Sequence, residues 1–121
     1  MRTLLAGVAA ALSMLSCDAF AADDCNGPDV SQMTLNACAW QRWQRHDREL
    51  NAAYAVMSKQ ETGADLDKLK AAQRAWVQYR NLECAYEATS ADGGSLEPQT
   101  IADCQDTLTL QRLADFKRLT H

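Results

Sequence analysis

The sequence predicts an all-α fold, a small antiparallel three-helix bundle stapled by two disulfides. Three stretches place apolar residues at helical spacing, and short turns with glycine or helix-capping residues separate them. Four of the five cysteines lie beyond a predicted leader, and an even number is typical of a disulfide framework in a small exported domain. The chain has only five glycines and two prolines, too few for the frequent turns of a β-sandwich.

Composition narrows the class of protein further. The chain has 121 residues, which allows one domain, and a hydrophobic content of 47% excludes wholesale disorder. Its net charge of −4 argues against a nucleic-acid-binding protein, because such a protein needs a basic stripe that displaces counterions from phosphate. The same charge suits a soluble module, or one that meets a basic partner.

Residues 1–21 have the features of a signal peptide. Arg2 supplies a positive start, residues 3–15 form an uncharged apolar run, and the Ala-Phe-Ala sequence at 19–21 matches the A-x-A cleavage pattern. The apolar run is shorter than the roughly 20 residues of a transmembrane helix. We therefore expect cleavage at the end of this segment, which leaves residues 22–121 as one helical domain in the periplasm or outside the cell.

An alternative places a lipid on Cys17 and makes the protein a membrane-anchored lipoprotein. The preceding Met-Leu-Ser at 14–16 is a poor version of the Leu-small-small pattern expected before a lipidated cysteine. We expect contact with a membrane only if Cys17 carries that lipid.

The first two helices are separated by a short turn. The first begins at a capping box, Asp29–Gln32, and runs to about Gln60. Gly63 follows its end, and Asp65 caps a second helix over about 66–88. The apolar stripes are Leu35, Ala39, Trp43, His46, Leu50, Ala53 and Met57 in the first helix, and Leu66, Leu69, Gln73, Trp76, Val77, Arg80 and Cys84 in the second.

The third helix follows a second turn. Gly93 and Gly94 are free to take positive φ there, and Ser95 caps a helix that tolerates Pro98 in its first turn. Its stripe is Ile101, Cys104, Leu108, Arg112 and Leu119, with Phe116 beside it. Three such helices with short connections predict an antiparallel bundle.

Polar residues on the buried faces form the candidate site. Across the first turn, hairpin geometry brings Arg80 near Asp47 and Gln73 near Asn51. Across the second turn, the same geometry brings Arg112 near Gln73. The predicted network comprises Asp47, Asn51, Tyr54, Gln73, Arg80, Glu83 and Arg112. We interpret it as structural, because a buried charge is costly unless it is paired, and the alternative is a ligand or catalytic pocket.

The cysteines Cys25, Cys38, Cys84 and Cys104 allow three disulfide connectivities. Cys38 lies on the flank of the first helix opposite the polar residues, toward the third helix. This favours Cys38–Cys104 and leaves Cys25–Cys84. A metal site is not expected, because there is no C-x-x-C and the two histidines lack ligand spacing, and no cofactor is expected.

Three motifs then carry a family resemblance. The first helix has D-x-x-L-N-x-x-Y over 47–54, the second A-Q-R-A-W-x-x-Y-R-x-x-E-C over 72–84, and the third C-x-x-x-L-T-x-x-R over 104–112. From about Cys25 to Leu119 the chain resembles the lysozyme-inhibitor LprI-like N-terminal domain family of exported bacterial proteins. The resemblance implies a small, disulfide-linked helical domain in the periplasm or on the envelope, and the namesake of the family is a lipoprotein that inhibits lysozyme.

The resemblance implies a periplasmic binding module that inhibits lysozyme or a related peptidoglycan hydrolase by protein–protein contact. Acidic side chains suit the basic surface of many lysozymes. We expect exposed acids at Asp65, Asp67, Glu87, Asp92, Glu97, Asp103 and Asp106. The alternative is an immunity or envelope-stress protein that binds another periplasmic protein without inhibiting lysozyme, through residues off the apolar stripes such as Trp40, Leu110 and Leu113.

We do not expect an enzyme. The sequence has no GxSxG, HExxH, P-loop or Cys/His pair. Asp47 and Glu83 are candidates for acid–base work, but Arg80 would keep Asp47 an acceptor only. His46 lies on an apolar face, where we expect it to pack rather than to act as a base.

Overall fold

The computed structural model describes residues 25–120 and confirms the all-α fold with three helices. Its elements are α1 (Gln32–Gln60), α2 (Gly63–Glu87), a 3-10 helix (Ala88–Ala91) and α3 (Glu97–Leu119). No strand occurs among the residues described. The predicted signal peptide over 1–21 and the alternative lipidation at Cys17 lie outside them.

α1 begins two residues later than predicted, because Ser31 rather than Asp29 is its N-cap. The backbone of Ser31 is extended, with φ −69° and ψ 153°, and its hydroxyl accepts a hydrogen bond from the backbone N–H of Thr34 at 3.1 Å. This bond satisfies one of the N–H groups that the first helical turn leaves unpaired. Asp29 lies before it in a turn.

The turn between α1 and α2 is tighter than predicted. Only Glu61 and Thr62 separate the helices, and Gly63 already opens α2 with a positive φ of 54°. Glycine takes this conformation without the steric penalty that a Cβ brings. Asp65, predicted as a cap, instead lies in the first turn of α2, where it pairs with Lys68 at 3.1 Å.

α3 begins at Glu97, so Ser95 is not its cap, although Pro98 lies in the first turn as predicted. Gly93 has a positive φ of 71°, whereas Gly94 does not. The N–H of Gly93 donates to the Glu97 carboxylate at 2.8 Å, and this contact ties the turn to the start of the helix.

α1 and α3 run parallel and share the largest helix interface, while α2 is antiparallel to both. Contacts between α1 and α3 advance together along the two helices, from Gln32–Gln99 at 2.8 Å to the stacked rings of Tyr54 and Phe116. The apolar core lies toward the end of this pair. It comprises Leu50, Met57, Leu113 and Phe116, with Ala53, Tyr54, Leu69 and Trp76 packed against it. Leu113, which lies off the predicted stripe, is therefore a core residue and does not contribute to the interface considered for such positions.

All four predicted cysteines form disulfides, but the predicted pairing is wrong. The bonds are Cys25–Cys38, which ties the N-terminal arm to α1, and Cys84–Cys104, which joins α2 to α3. Cys25 is only 13 positions before Cys38, and the N-terminal arm brings the two Cα atoms to within 6.0 Å of each other. The hairpin register that pairs Arg112 with Gln73 also brings Cys84 close to Cys104.

Candidate functional site

The Arg80 guanidinium is buried between α1 and α2. Its Nη1 donates to Oδ1 of Asp47 at 2.9 Å, and the side chains are 9% and 30% exposed respectively. The guanidinium carbon lies 5.2 Å from the ring centroids of both Trp43 and Trp76, so an indole from each helix flanks the charge. Nε and Nη2 donate to Oδ1 of Asn81 at 3.2 Å. The cation therefore has a carboxylate, an amide and two aromatic partners.

A second polar pair lies about 10 Å closer to the start of α2. The Nε of Arg112 donates to Oε1 of Gln73 at 3.1 Å, and Gln73 is only 7% exposed. The Arg112 guanidinium carbon also lies 4.6 Å from the centroid of the Phe116 ring. This pair links α2 to α3 in the way that Arg80 and Asp47 link α2 to α1.

The other three residues of the predicted network, Asn51, Tyr54 and Glu83, have three different environments. Asn51 Nδ2 donates to Oδ2 of Asp47 at 3.2 Å. Tyr54 packs its ring against Phe116, with the centroids 6.5 Å apart. Glu83 is half-buried and makes no hydrogen bond or ion pair with the other six among the residues described. Five of the seven residues thus form two polar pairs with Asn51 attached to one of them, and Tyr54 and Glu83 belong to neither pair.

A polar cluster between α1 and α3 was not predicted. His46 Nδ1 lies 2.6 Å from Oδ1 of Asp106, and Arg42 Nε lies 3.4 Å from Oδ2 of the same carboxylate. Arg42 also pairs through Nη2 with Asp103. Asp106 is 7% exposed, so the prediction that it lies on the surface is wrong. Arg42 brings a positive charge to this carboxylate, and the His46 ring shares a hydrogen bond with it.

A groove of about 310 Å³ opens between α1 and α2, beside the two polar pairs. We call it the α1–α2 groove, and its lining residues are Asn51, Tyr54, Lys70, Gln73, Arg74 and Val77. The two cations Lys70 and Arg74 are exposed on its α2 wall. No acidic residue lines it.

The side of α2 that points away from the core carries a separate apolar surface. Tyr79, Leu82 and Tyr86 are 52%, 63% and 75% exposed and lie at helical spacing on one face. The acidic Glu83 and Glu87 lie beside them. We call these five residues the α2 outer face. A core of aromatic and aliphatic side chains with a charged rim is the usual anatomy of a protein–protein interface.

No helix within residues 25–120 is both long and apolar enough to span a bilayer. Within the same residues, His, Cys, Asp and Glu do not gather into a group of three or more that could hold a metal ion.

Comparison with known proteins gives one family and one relative. The family model described as lysozyme inhibitor LprI matches residues 22–116. An uncharacterised protein of Rhizobium meliloti (strain 1021) is 38% identical over 130 aligned positions, which cover 92% of this chain and 93% of the relative. No solved structure gives a significant match.

Proposed function

Because the chain belongs to the lysozyme inhibitor LprI family, we propose that it is an exported protein that inhibits a lysozyme-like peptidoglycan hydrolase by direct contact. The observation that carries this proposal is the family match, which extends over residues 22–116 and includes all three helices. Inhibition by contact needs a stable surface and no catalytic group of its own. The helical bundle with its disulfide between α2 and α3 supplies such a surface.

Two observations support export to the periplasm or beyond. The family match begins at residue 22, the first residue after the predicted leader. The two disulfides of the folded domain persist in an oxidising compartment and are rare in the reducing cytosol. A hydrolase that degrades the cell wall is met in the same compartment.

The α2 outer face is the surface that we assign to the hydrolase. Tyrosine is enriched among the residues that dominate binding energy, and Tyr79 and Tyr86 are both free of the core. The acidic Glu83 and Glu87 beside them favour a basic partner, which many lysozymes are. The apolar centre of the face can thus supply binding energy, and its acidic rim can attract the basic surface of such a hydrolase.

Lysis of a cell-wall suspension by a basic lysozyme, followed by turbidity, tests the function. We expect the oxidised protein in excess to slow lysis, and full lysis at excess would contradict the proposal for that enzyme. A Leu82→Ala, Tyr86→Ala double variant should inhibit at least about tenfold more weakly, because these side chains form the centre of the contact.

The matched control is a Met33→Ala, Leu110→Ala double variant. It removes two side chains that are 80% and 45% exposed on α1 and α3, and it should inhibit like the unmodified protein. If the control loses inhibition and the α2 variant keeps it, the hydrolase binds a different face. Both variants should keep the melting temperature, because the deleted side chains lie on the surface.

Trp40 and Leu110 are the exposed residues that we assign to the alternative function, binding to another periplasmic protein without inhibition of lysozyme. These side chains are 47% and 45% exposed. Capture of partners from a periplasmic extract by the unmodified protein and by the Leu82, Tyr86 variant separates the two functions. A partner that is not a hydrolase and that both forms retain would favour the alternative.

A further inference from the structure

The α1–α2 groove has a charge opposite to that of the whole molecule. The chain has a net charge of −4, yet the groove is lined by two cations and by no acid. Neither Lys70 nor Arg74 forms a salt bridge within residues 25–120, although Lys68 two positions earlier pairs with Asp65. The groove is therefore the place where an anion would meet uncompensated positive charge.

The spacing of the two cations also indicates an anion between them. Lys70 and Arg74 are four residues apart on α2, so their Cβ atoms lie roughly 6 Å apart on one face of the helix. Like charges at this spacing repel each other and destabilise the helix. One bound carboxylate within reach of both side chains removes that repulsion, and arginine can hold it through two parallel hydrogen bonds.

Neutral donors and apolar walls complete the groove. The Oε1 of Gln73 already accepts from Arg112, and this bond orients the amide so that its N–H groups remain as donors. Asn51 and Tyr54 face Gln73 from α1, and Val77 adds an apolar wall. Amide donors beside apolar patches suit a peptide backbone with small side chains.

We propose that the α1–α2 groove binds the carboxylate of a short peptide, with Lys70 and Arg74 on the carboxylate and Gln73 on the adjoining amide. The volume of about 310 Å³ lies at the lower end of ligand pockets, so the peptide is small. The groove is separate from the α2 outer face, and the proposal does not depend on inhibition of a hydrolase. Carboxylates of this kind occur on free peptides and on the termini of partner proteins.

The test is an NMR titration of the full disulfide-bonded protein, produced in an oxidising compartment. The probes are N-acetyl-alanyl-alanine, the same dipeptide with a C-terminal amide, acetate and inorganic phosphate. We expect the free-acid dipeptide to shift the signals of Asn51, Gln73 and Val77. The amidated dipeptide and acetate should each bind at least about tenfold more weakly, because each lacks half of the recognised group.

A Lys70→Gln, Arg74→Gln double variant should lose at least about tenfold in affinity and keep its melting temperature, because both side chains are exposed. Lys68→Gln is the matched control, since it removes a cation of the same helix whose side chain is 79% exposed and outside the groove. Binding of the dipeptide that survives the double variant would overturn the proposal. Equal binding of phosphate would also overturn it, since the groove would then hold any anion.

Addition of a folded partner distinguishes the two sources of the carboxylate. If the free dipeptide binds and competes with a captured protein for the groove, the natural carboxylate belongs to a chain terminus of that protein. If it binds without competition, the ligand is a free peptide. Groove variants that still inhibit lysozyme leave the proposed function intact, so failure of one proposal does not imply failure of the other.

Discussion

Arg80 combines three interactions in one side chain, and its removal tests whether the Asp47–Arg80 pair is structural. Arg80→Ala leaves Asp47 without its cation and opens space between two indoles. We expect a loss of about 2–3 kcal/mol of unfolding free energy, less than for a fully enclosed pair because Asp47 is 30% exposed. In a domain of this size the melting temperature falls by roughly 10–20 °C.

The matched control is Arg74→Ala, which removes an exposed arginine from the same helix and should lower the melting temperature by no more than about 3 °C. Thermal unfolding followed by circular dichroism measures both variants. An Arg80→Ala protein that melts normally but no longer binds its partner would show that this residue serves a ligand pocket.

The spacing of residues from a turn predicts which side chains face each other in two consecutive helices. It does not predict which side chains face each other in α1 and α3, which no single turn connects. The contacts Asp47–Arg80 and Gln73–Arg112 both span a turn, so the spacing from that turn predicts which residues face each other. The burial of Asp106 depends instead on how α1 and α3 are rotated against each other. No turn fixes that rotation, so the sequence alone does not distinguish the buried Asp106 from an exposed acid.

Each helix and its connections can be predicted from local chemistry to within a few residues. Glycines mark both turns, and apolar spacing marks all three helices. The starts shift because several residues compete as caps: Ser31 is the N-cap in place of Asp29. Disulfide pairing is harder, because Cys25 lies in the N-terminal arm before α1, and the helical pattern does not say where that arm brings it.

The two disulfides differ in the elements that they hold. Their cysteines are 13 and 20 positions apart, and chain entropy gives about 3 kcal/mol for each closed loop. Replacing Cys84 and Cys104 by alanine should cost about that much, since the bond joins two helices and Cys84 is fully buried. Replacing Cys25 and Cys38 should cost less than about 1 kcal/mol, because the freed arm also gains entropy in the folded state.

Denaturant titration of the two double variants gives these free energies. The pairing itself is checked by trypsin digestion of the denatured, unreduced protein. No lysine or arginine lies between Cys25 and Cys38 or between Cys84 and Cys104, so each observed disulfide stays within one peptide. Either alternative connectivity would join the two peptides, and such a cross-linked mass would refute the pairing.

On the scale of the whole molecule, α2 presents two surfaces of different charge. Lys70 and Arg74 line the α1–α2 groove, and Glu83 and Glu87 lie on the α2 outer face. The family resemblance of the three motifs is confirmed by the match over residues 22–116. Motif residues such as Gln73, Arg80 and Cys84 are buried, so they define the scaffold more than they define the surface that meets a partner.

The acidic rim of the α2 outer face predicts how salt acts on the encounter with a basic lysozyme. The acidic rim and the net charge of −4 attract a basic surface over distances near the Debye length. Raising the salt from about 0.05 M to about 0.5 M should therefore lower the association rate constant at least about tenfold. The dissociation rate constant should change far less, because the apolar centre of the contact is not screened.

Stopped-flow fluorescence measures both constants, and Glu83→Gln with Glu87→Gln should flatten the dependence on salt. Asp65→Asn with Asp67→Asn is the control, since it removes two acids at the far end of α2. A salt effect confined to dissociation would show that the electrostatic match proposed for the α2 outer face does not guide binding.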